Sequence, residues 1–378
     1  MRVPLVKPDL PPFEDLESGF REALATGRVT NFGPNVKAFE REAGEYVGAE
    51  AVTMPSGTTG LILTLQALGV GQGGKVIVPS FTFVASVQAI LYAGAEPLFA
   101  DVGEDLTLDI EDLGALLESH QDVSAVLPVH AFGLPCHVAA IEQAVAAAEE
   151  RAGHRIPVVY DAAHAFGSRV GERRVGSFGT AEVFSLSATK VLVSIEGGMV
   201  TSGDASLLER LRRERNYGIE SAYDAYWPGV NGKMSELHAL VGLHNLHRLD
   251  ALMAARQDLA VYYLDQLRSR TSMELIPAGE EMVHTYKDFT VLVPPAHAGE
   301  RDEVIARLAA AEIECRKYFS PPGHRQRFFA RFADRPLPRT DDAAARVITL
   351  PFFTTMSHGE VDYVVEAIAN TEAALGWR

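Results

Sequence analysis

A repeated alternation of short apolar runs and helical stretches, between about residues 50 and 200, constrains the fold more than any other feature. Runs such as residues 75–79 and 181–184 have the length and composition of buried strands, and segments with helical spacing of apolar residues separate them. Strands that alternate with helices form parallel sheets, since each helix returns the chain to the same end of the sheet. We therefore predict an α/β fold in which helices cover a mostly parallel sheet.

The pattern changes after residue 200. A long helical stretch reaches roughly Arg270, and shorter elements follow it, including predicted strands at residues 289–293 and 313–318. With 378 residues, the chain is long enough for two domains. We expect a large domain over residues 1–245, which begins with a proline-rich extended arm, and a small α+β C-terminal domain over residues 246–378.

Charge and cysteine content argue against several classes of function. The formal net charge of −16 disfavours binding to nucleic acid or to anionic lipid. No apolar run approaches membrane-spanning length, and the N-terminus has no apolar signal region. Cys136 and Cys315 lie far apart without CxxC spacing, so a reducing compartment fits better than a disulfide framework. We expect a cytoplasmic protein with no nucleic-acid or membrane partner.

The sequence supports neither a GxGxxG or Walker nucleotide-binding motif nor a metal site. No GxGxxG opens the first strand–helix unit, and the glycines at residues 69–74 lack the order and the setting of a Walker loop. His238, His244 and His247 share a predicted helix, but only the last two fall on one face. No carboxylate completes a ligand set, so we expect no metal.

One turn and one aromatic residue suit a flat, phosphorylated ligand. The turn Ser56-Gly57-Thr58 opens an apolar helix, where backbone N–H groups, hydroxyls and the helix dipole attract phosphate. An ordinary helix cap would use the same residue types, so the turn alone decides nothing. Phe83 follows the carboxyl end of a strand and is placed either to cover a ligand ring or to fill the core.

Two further positions bear reactive groups. Asp161 ends a strand at the edge where open α/β sheets bind ligands, and His164 follows three residues later, although a helix cap would also place an aspartate there. Ser185 and Lys190 follow the apolar run at 181–184; on its own, Lys190 fits a surface charge. An aldehyde-bearing pyridine phosphate would use all four features, with the lysine as a Schiff base to the aldehyde. Their conjunction predicts pyridoxal 5'-phosphate.

Several short motifs are distributed along the chain. They are Ser56-Gly57-Thr58, Pro79-Ser80-Phe81-Thr82-Phe83, Asp161-Ala162-Ala163-His164-Ala165-Phe166-Gly167, Phe184-Ser185 with Thr189-Lys190, and Glu196-Gly197-Gly198. In these motifs the chain resembles the DegT/DnrJ/EryC1/StrS sugar aminotransferases. The resemblance implies fold type I, the aspartate aminotransferase-like architecture, with pyridoxal phosphate as cofactor. It also implies a homodimer with active sites at the subunit interface.

The resemblance assigns a role to each cofactor residue. It implies that Lys190 forms the Schiff base and moves protons, that Asp161 pairs with the ring nitrogen, and that His164, where the family more often has glutamine, lies near the ring hydroxyl. Phe83 would stack on the ring. The phosphate would be held by Ser56, Gly57, Thr58 and Ser185, and by Asn231 of the partner subunit.

The substrate side follows from the same resemblance. Arg316, Tyr318 and His324 fall where the family carries His-Tyr-x-Pro-Leu-His, and are the implied substrate-binding residues despite the changed pattern. L-Glutamate would donate the amino group to a nucleotide-linked keto sugar. Lys190 argues against the family's dehydratase branch, which carries histidine there. The motifs look most like those of enzymes that aminate C4 of dTDP-4-keto-6-deoxy-D-glucose, giving dTDP-4-amino-4,6-dideoxy-D-glucose; amination at C3 of a dTDP-3-keto-6-deoxyhexose is the alternative.

Two other classes of function are compatible with this fold. A regulatory or binding protein could keep this fold without catalysis, because fold does not fix function. The intact set of Lys190, Asp161 and Ser185 argues against it. A cysteine desulfurase would need a reactive cysteine on a mobile loop, whereas Cys315 falls in a predicted strand and Cys136 at a helix start.

Overall fold

The structure is a computed structural model that describes residues 2–377; Met1 and Arg378, the ends of the predicted arm and small domain, lie outside the described residues. The helices are α1 Phe13–Thr26, α2 Pro34–Val47, α3 Gly57–Ala67, α4 Val84–Ala93, α5 Ile110–Ser119, α6 Val138–Ala152, α7 Ala205–Glu214, α8 Glu236–Arg270, α9 Arg301–Ala310, α10 Pro338–Arg346 and α11 His358–Leu375. The strands are β1 Glu50–Met54, β2 Lys75–Pro79, β3 Glu96–Ala100, β4 Val123–Val126, β5 Val159–Asp161, β6 Arg169–Val170, β7 Arg173–Arg174, β8 Ala181–Ser185, β9 Gly198–Ser202, β10 Ile219–Ser221, β11 Asp224–Ala225, β12 Glu274–Leu275, β13 Met282–Val283, β14 Phe289–Leu292 and β15 Val347–Leu350.

Seven strands form the central sheet, in the order β3-β2-β4-β5-β8-β9-β1. The first three pair in parallel, and so do β5 and β8, while bridges from Val126 to Val158 and from Val129 to Asp161 join the two groups. Strand β9 pairs antiparallel with both β8 and β1 and so runs opposite to the other six. The predicted α/β fold with a mostly parallel sheet is confirmed.

Helices cover both faces of this sheet, and each layer has its own apolar core. On one face α2, α5 and α6 bury side chains such as Phe39, Leu113 and Ile141. On the other face α3, α4 and α7 contribute side chains such as Leu63 and Leu207. Strands buried on both faces are mostly apolar, which is why β2 and β8 have the composition of buried strands even though Lys75 begins β2 and β8 contains Glu182.

Helix α8 links this layered unit to a second one. Its 35 residues begin at the cap Ser235, whose side chain accepts a hydrogen bond from the N–H of His238. The first half buries Leu249 in the core of the large unit, and the second half buries Tyr263 in a separate core with α9, α11, β14 and β15. Val3, in the N-terminal arm, packs into that second core. The division at residue 245 stays a prediction.

The predicted strand at residues 313–318 is wrong. Those residues make only isolated pairings, from Ile313 to Val3 and from Arg316 to Thr349. The segment passes between the arm and β15 and touches each at one point, so no continuous ladder forms on either side. Strand β15, rather than this segment, pairs with β14 from Phe289 to Leu292.

Candidate active site

A cleft of about 370 Å³ opens at the carboxyl ends of the parallel strands, where open α/β sheets bind ligands. The elements that surround it are the start of α3, the end of β5, the loop after β8 and a segment before β14. Most predicted site residues line it: Ser56, Gly57, Thr58, Phe83, Asp161, His164, Ser185, Lys190 and Tyr318. The structure thus brings together residues as far apart in the chain as Ser56 and Tyr318.

The first turn of α3 forms one end of the cleft. Ser56 is the N-cap, and its Oγ accepts a hydrogen bond from Thr59 N at 3.1 Å. A Cβ on Gly57 would lie 3.1 Å from the Cβ of Ser185, so only a glycine lets the helix start approach this serine comfortably. A Cβ on Gly198 would lie 2.3 Å from the carbonyl carbon of Ser56. These close approaches gather N–H groups and hydroxyls into a cradle that suits a phosphate.

Asp161 forms the floor of the cleft. Its Oδ2 accepts a hydrogen bond from Ser86 Oγ at 2.7 Å, and its Oδ1 accepts one from Ala163 N at 3.1 Å. Burial raises the pKa of Asp161, while these two bonds and the charge of Lys190 act against that rise. A buried carboxylate that is hydrogen-bonded in this way is suited to pair with a protonated ring nitrogen, which would favour its charged form.

Lys190 projects into the same cleft from a tight turn, in which its N–H bonds to the carbonyl of Ser187 at 2.9 Å. Burial and the nearby charge of Lys287 lower the pKa of Lys190 to about 7, although Asp288 and Asp161 oppose the shift. At neutral pH the amine is therefore neutral in a large fraction of molecules. A neutral amine is the form that attacks an aldehyde and accepts a proton.

Two site residues had not been predicted: Lys287 and Asp288. Lys287 Nζ lies 2.6 Å from Asp288 Oδ1, and both side chains are buried in the cleft wall. His164 Nδ1 lies 3.8 Å from Asp288 Oδ2. Burial, followed by the charges of Lys190 and Lys287, holds the pKa of His164 well below its usual value, so the ring is neutral. The available sequence signal was an opposite-charge pair directly before an apolar strand.

A second unpredicted pair lies beneath Asp161. His130 Nε2 is 3.1 Å from Glu182 Oε1, and both side chains are fully buried. His130 Nδ1 accepts a hydrogen bond from Cys136 N, so the ring hydrogen is on Nε2 and points to the carboxylate. The backbone N–H of His130 donates to the carbonyl of Asp161 at 3.0 Å. The pair therefore anchors the strand ends that carry Asp161.

Three predicted site residues lie outside the cleft wall. Asn231 is exposed and pairs with Asn216, which leaves it available to another subunit as the resemblance implies. Arg316 is exposed and forms an ion pair with Glu314. His324 is buried, with Nδ1 2.7 Å from Ser80 Oγ. Of the predicted substrate residues, the structure brings only Tyr318 to the cleft.

The two cysteines are buried: Cys136 is fully so, and burial raises the pKa of both thiols. Neither lines the cleft, so neither is placed to act as a nucleophile there. Within residues 2–377, no three His, Cys, Asp or Glu side chains are grouped closely enough to hold a metal ion. Over the same residues, no helix has the length and apolarity needed to span a membrane.

The described residues fit pyridoxal phosphate at each of its functional groups. The cradle at Ser56 suits the phosphate, the exposed ring of Phe83 is free to cover the pyridine, and Asp161 suits its nitrogen. Lys190 suits the aldehyde, and the unpartnered Nδ1 of His164 suits a polar ring substituent. On a sheet of this topology, such a cleft defines a pyridoxal-phosphate-dependent enzyme of fold type I.

Comparison with known families narrows the class. Residues 14–369 match the DegT/DnrJ/EryC1/StrS aminotransferase family, and the chain belongs to that family. It is 33% identical to a UDP-N-acetyl-3-dehydro-alpha-D-glucosamine 3-aminotransferase of Acidithiobacillus ferrooxidans, with 95% of this chain and 97% of that protein covered. It is 29% identical to a dTDP-4-amino-4,6-dideoxy-D-glucose transaminase of Shigella dysenteriae, with 96% and 97% covered.

A solved structure agrees with these sequences. The sugar aminotransferase CalS13 from Micromonospora echinospora superimposes with a TM-score of 0.90 at 28% identity, with 97% of this chain and 99% of that chain covered. The chain is thus a pyridoxal-phosphate-dependent sugar aminotransferase. These two relatives differ both in the nucleotide of the sugar that they act on, UDP or dTDP, and in the sugar carbon named for the amino group, C3 or C4.

Proposed function

We propose that the protein transfers the amino group of L-glutamate to C4 of dTDP-4-keto-6-deoxy-D-glucose, producing dTDP-4-amino-4,6-dideoxy-D-glucose. The observation that carries the transfer reaction is the presence of the Lys190 amine, the Asp161 carboxylate and the Ser56 cradle in one cleft. The choice of a dTDP-linked 4-keto sugar rests on the motifs around Asp161 and Lys190 and on the Shigella dysenteriae relative.

Amination at C3 is the second candidate. The Acidithiobacillus ferrooxidans relative is a 3-aminotransferase and is as widely covered as the 4-amino relative. The two reactions require the same amine, carboxylate and phosphate contacts, and differ in how the sugar is turned toward the reacting amine. Cleft residues outside that shared set, such as Tyr318 and Asp288, are therefore candidates for separating the two reactions.

The mechanism follows from the protonation of this chain's residues. Bound pyridoxal phosphate supplies an aldehyde that exchanges amines and a ring that accepts an electron pair. Lys190, whose pKa is lowered to about 7, takes a proton from the carbon of the amino donor that bears nitrogen and later returns one to the sugar carbon. Asp161, held by Ser86, keeps a proton on a ring nitrogen. The Ser56 cradle and Ser185 fix the phosphate during both halves of the reaction.

The remaining parts of the proposal concern assembly and location. A homodimer would bring Asn231 of the partner subunit to the phosphate, which agrees with the exposure of this residue and its distance from the cleft of its own chain. Arg316 and His324 stay proposed as substrate residues only through the resemblance. The two free cysteines agree with the reducing, cytoplasmic location that we propose.

The deciding experiment compares two substrates. The purified protein, loaded with pyridoxal phosphate, is incubated with L-glutamate and either the 4-keto or the 3-keto dTDP-6-deoxyhexose, and NMR of the product locates the new nitrogen. We expect turnover of the 4-keto sugar and nitrogen at C4. Product from the 3-keto sugar alone would establish the C3 reaction, and no change of cofactor absorbance with glutamate would favour a non-catalytic protein.

A further inference from the structure

The segment that carries Lys287 and Asp288 is fixed to the large unit by hydrogen bonds. Thr285 Oγ1 donates to the carbonyl of His164 at 2.7 Å, and His284 Nε2 lies 3.1 Å from the carbonyl of Phe132. From the other side, Arg256 Nε donates to the carbonyl of Thr285 at 3.0 Å. Because these bonds hold the residues directly before Lys287 and Asp288, the side chains that follow are positioned by the fold rather than by solvent.

Asp288 is half satisfied. Its Oδ1 accepts a hydrogen bond from Lys287 Nζ at 2.6 Å, whereas its Oδ2 is buried and has no hydrogen-bond partner among residues 2–377. His164 Nδ1 is also buried and also lacks a partner among the described residues. The two atoms lie 3.8 Å apart in the wall of the cleft. A buried carboxylate oxygen without a partner is costly and needs an explanation, and for an atom in the wall of a ligand cleft a bound ligand group is such an explanation.

The geometry and charge of this pair select one kind of ligand group. A separation of 3.8 Å is too long for a direct hydrogen bond, whereas a single ligand oxygen can lie at hydrogen-bond distance from two atoms this far apart. A hydroxyl donates its hydrogen to a carboxylate and accepts one from a neutral imidazole N–H. The charges of Lys190 and Lys287 disfavour an ammonium group, and the charge of Asp288 disfavours a phosphate or carboxylate.

We propose that Asp288 and His164 together bind one ligand hydroxyl, and that Asp288, held by Lys287, determines which keto sugar is accepted. This inference rests on the proposed function, because it takes the ligand to be a keto sugar bound beside pyridoxal phosphate. The hydroxyl has two chemical sources, the sugar carbon next to the carbonyl and the pyridine ring. In both cases Asp288 is a site residue that sequence motifs around Lys190 do not include.

The test replaces the carboxylate with an amide of the same shape. For the wild-type protein and Asp288→Asn, the dissociation constant and visible absorbance of pyridoxal phosphate are measured. Binding of the dTDP-sugar, and of an analogue with hydrogen in place of the hydroxyl next to the carbonyl carbon, is followed by calorimetry. Calorimetry measures sugar binding without turnover. If the protein transaminates no sugar, the proposed function is wrong, but the binding measurements still test this site.

If the sugar supplies the hydroxyl, Asp288→Asn weakens binding of the sugar by about 10- to 100-fold and leaves binding of the analogue and of the cofactor unchanged. If the ring supplies it, cofactor binding weakens and its absorbance shifts, while sugar and analogue lose affinity equally; this result would overturn the role of Asp288 in sugar selection. No change in either ligand overturns the proposal. Asp288→Ser, which removes the charge with a smaller side chain, serves if the asparagine variant does not fold.

The matched control is Asp250→Asn, at an exposed ion pair with Arg174 on the surface of α8. It removes a carboxylate from a salt bridge without touching the cleft, so sugar and cofactor binding should stay at wild-type values. A loss of sugar affinity in this variant equal to that in Asp288→Asn would show a general electrostatic effect and would also overturn the proposal.

Discussion

Ser86 Oγ lies 2.7 Å from Asp161 Oδ2, so helix α4 holds the carboxylate that ends strand β5. Ser86 is itself buried, and its Oγ also lies 2.9 Å from Thr82 Oγ1. The charged form of Asp161 gains from this bond, since a hydrogen bond to a carboxylate favours ionisation. The site therefore depends on a serine that need not touch any ligand.

The first prediction is that Ser86→Ala raises the pKa of Asp161. Loss of a hydrogen bond to the charged form disfavours that form, so the acidic limb of the pH–activity profile should move to higher pH. Loss of a hydrogen bond to a charged group typically costs about 1.5–3 kcal/mol, which is a rate decrease of roughly tenfold or more. The control is Ser168→Ala, which removes a buried bond to the neutral carbonyl of Gly133 and should leave the acidic limb in place.

The second prediction concerns Lys190→Ala. Without the amine, the protein should bind pyridoxal phosphate only through the cradle and Asp161, and should lose both the visible absorbance of the covalently bound cofactor and all transamination. Absorbance spectroscopy and product analysis with L-glutamate check both losses. Lys37→Ala, at an exposed position of α2, should behave like the wild type. Retained turnover in Lys190→Ala would contradict the catalytic role.

The third prediction uses the pKa of Lys190, which is lowered to about 7 by burial and by Lys287. In the cofactor-free protein, the rate of uptake of pyridoxal phosphate should rise with pH through a midpoint near that value, because only the neutral amine attacks. Lys287→Met removes a positive charge, which favours the protonated form of Lys190 and moves the midpoint to higher pH. Lys287→Arg keeps the charge and should keep the midpoint. An unmoved midpoint in Lys287→Met would contradict the electrostatic coupling.

The same shift has a consequence for stability. Because the pKa of Lys190 is lower in the folded protein than the usual lysine value of 10.5, the unfolded chain binds the proton that the folded protein has released. Between about pH 7 and 10.5 the contribution of Lys190 to the free energy of unfolding should therefore rise with pH. Lys190→Met should remove this contribution, which urea unfolding of the cofactor-free protein at several pH values measures.

The fourth prediction concerns Gly133, which has a φ of +96°. A Cβ there would lie 1.8 Å from Oγ1 of Thr285 and 2.7 Å from the carbonyl of His164. Gly133→Ala should lower the free energy of unfolding by about 1–3 kcal/mol or more, and should displace the segment that holds Asp288. Gly114→Ala, within α5 and with open space around its Cβ, should be neutral or stabilising by up to about 1 kcal/mol. Thermal unfolding of both variants gives the comparison.

Much of the cofactor side of the site could be predicted because its residues belong to short local motifs. Ser56 caps a helix, and Asp161 ends a strand, so each position follows from the neighbouring residues alone. Lys287 and Asp288 carry no such local signal. Their burial depends on hydrogen bonds to Phe132 and His164, residues more than one hundred positions earlier in the chain.

The small domain shows the same limit. The segment at residues 313–318 has the composition of a strand, but pairing requires a neighbour along its whole length, and it meets β15 at one residue only. His324 follows a motif that the family uses for substrate, yet its ring lies against Ser80, where it supports the turn after β2. In both cases tertiary contacts, rather than the local sequence, fix where the residues lie.

The hydrogen bonds from Thr285 to His164 and from His284 to Phe132 join the segment before β14 to the loops that follow β5 and β4. A rotation that moved this segment away from those loops would have to break both bonds and displace Asp288. Substrate exchange is therefore better served by movement of side chains at the mouth, such as Phe83, which is 55% exposed. The enzyme can therefore keep Lys190 and Asp161 in fixed positions through both half-reactions, while the amino donor and the keto sugar occupy the same cleft one after the other.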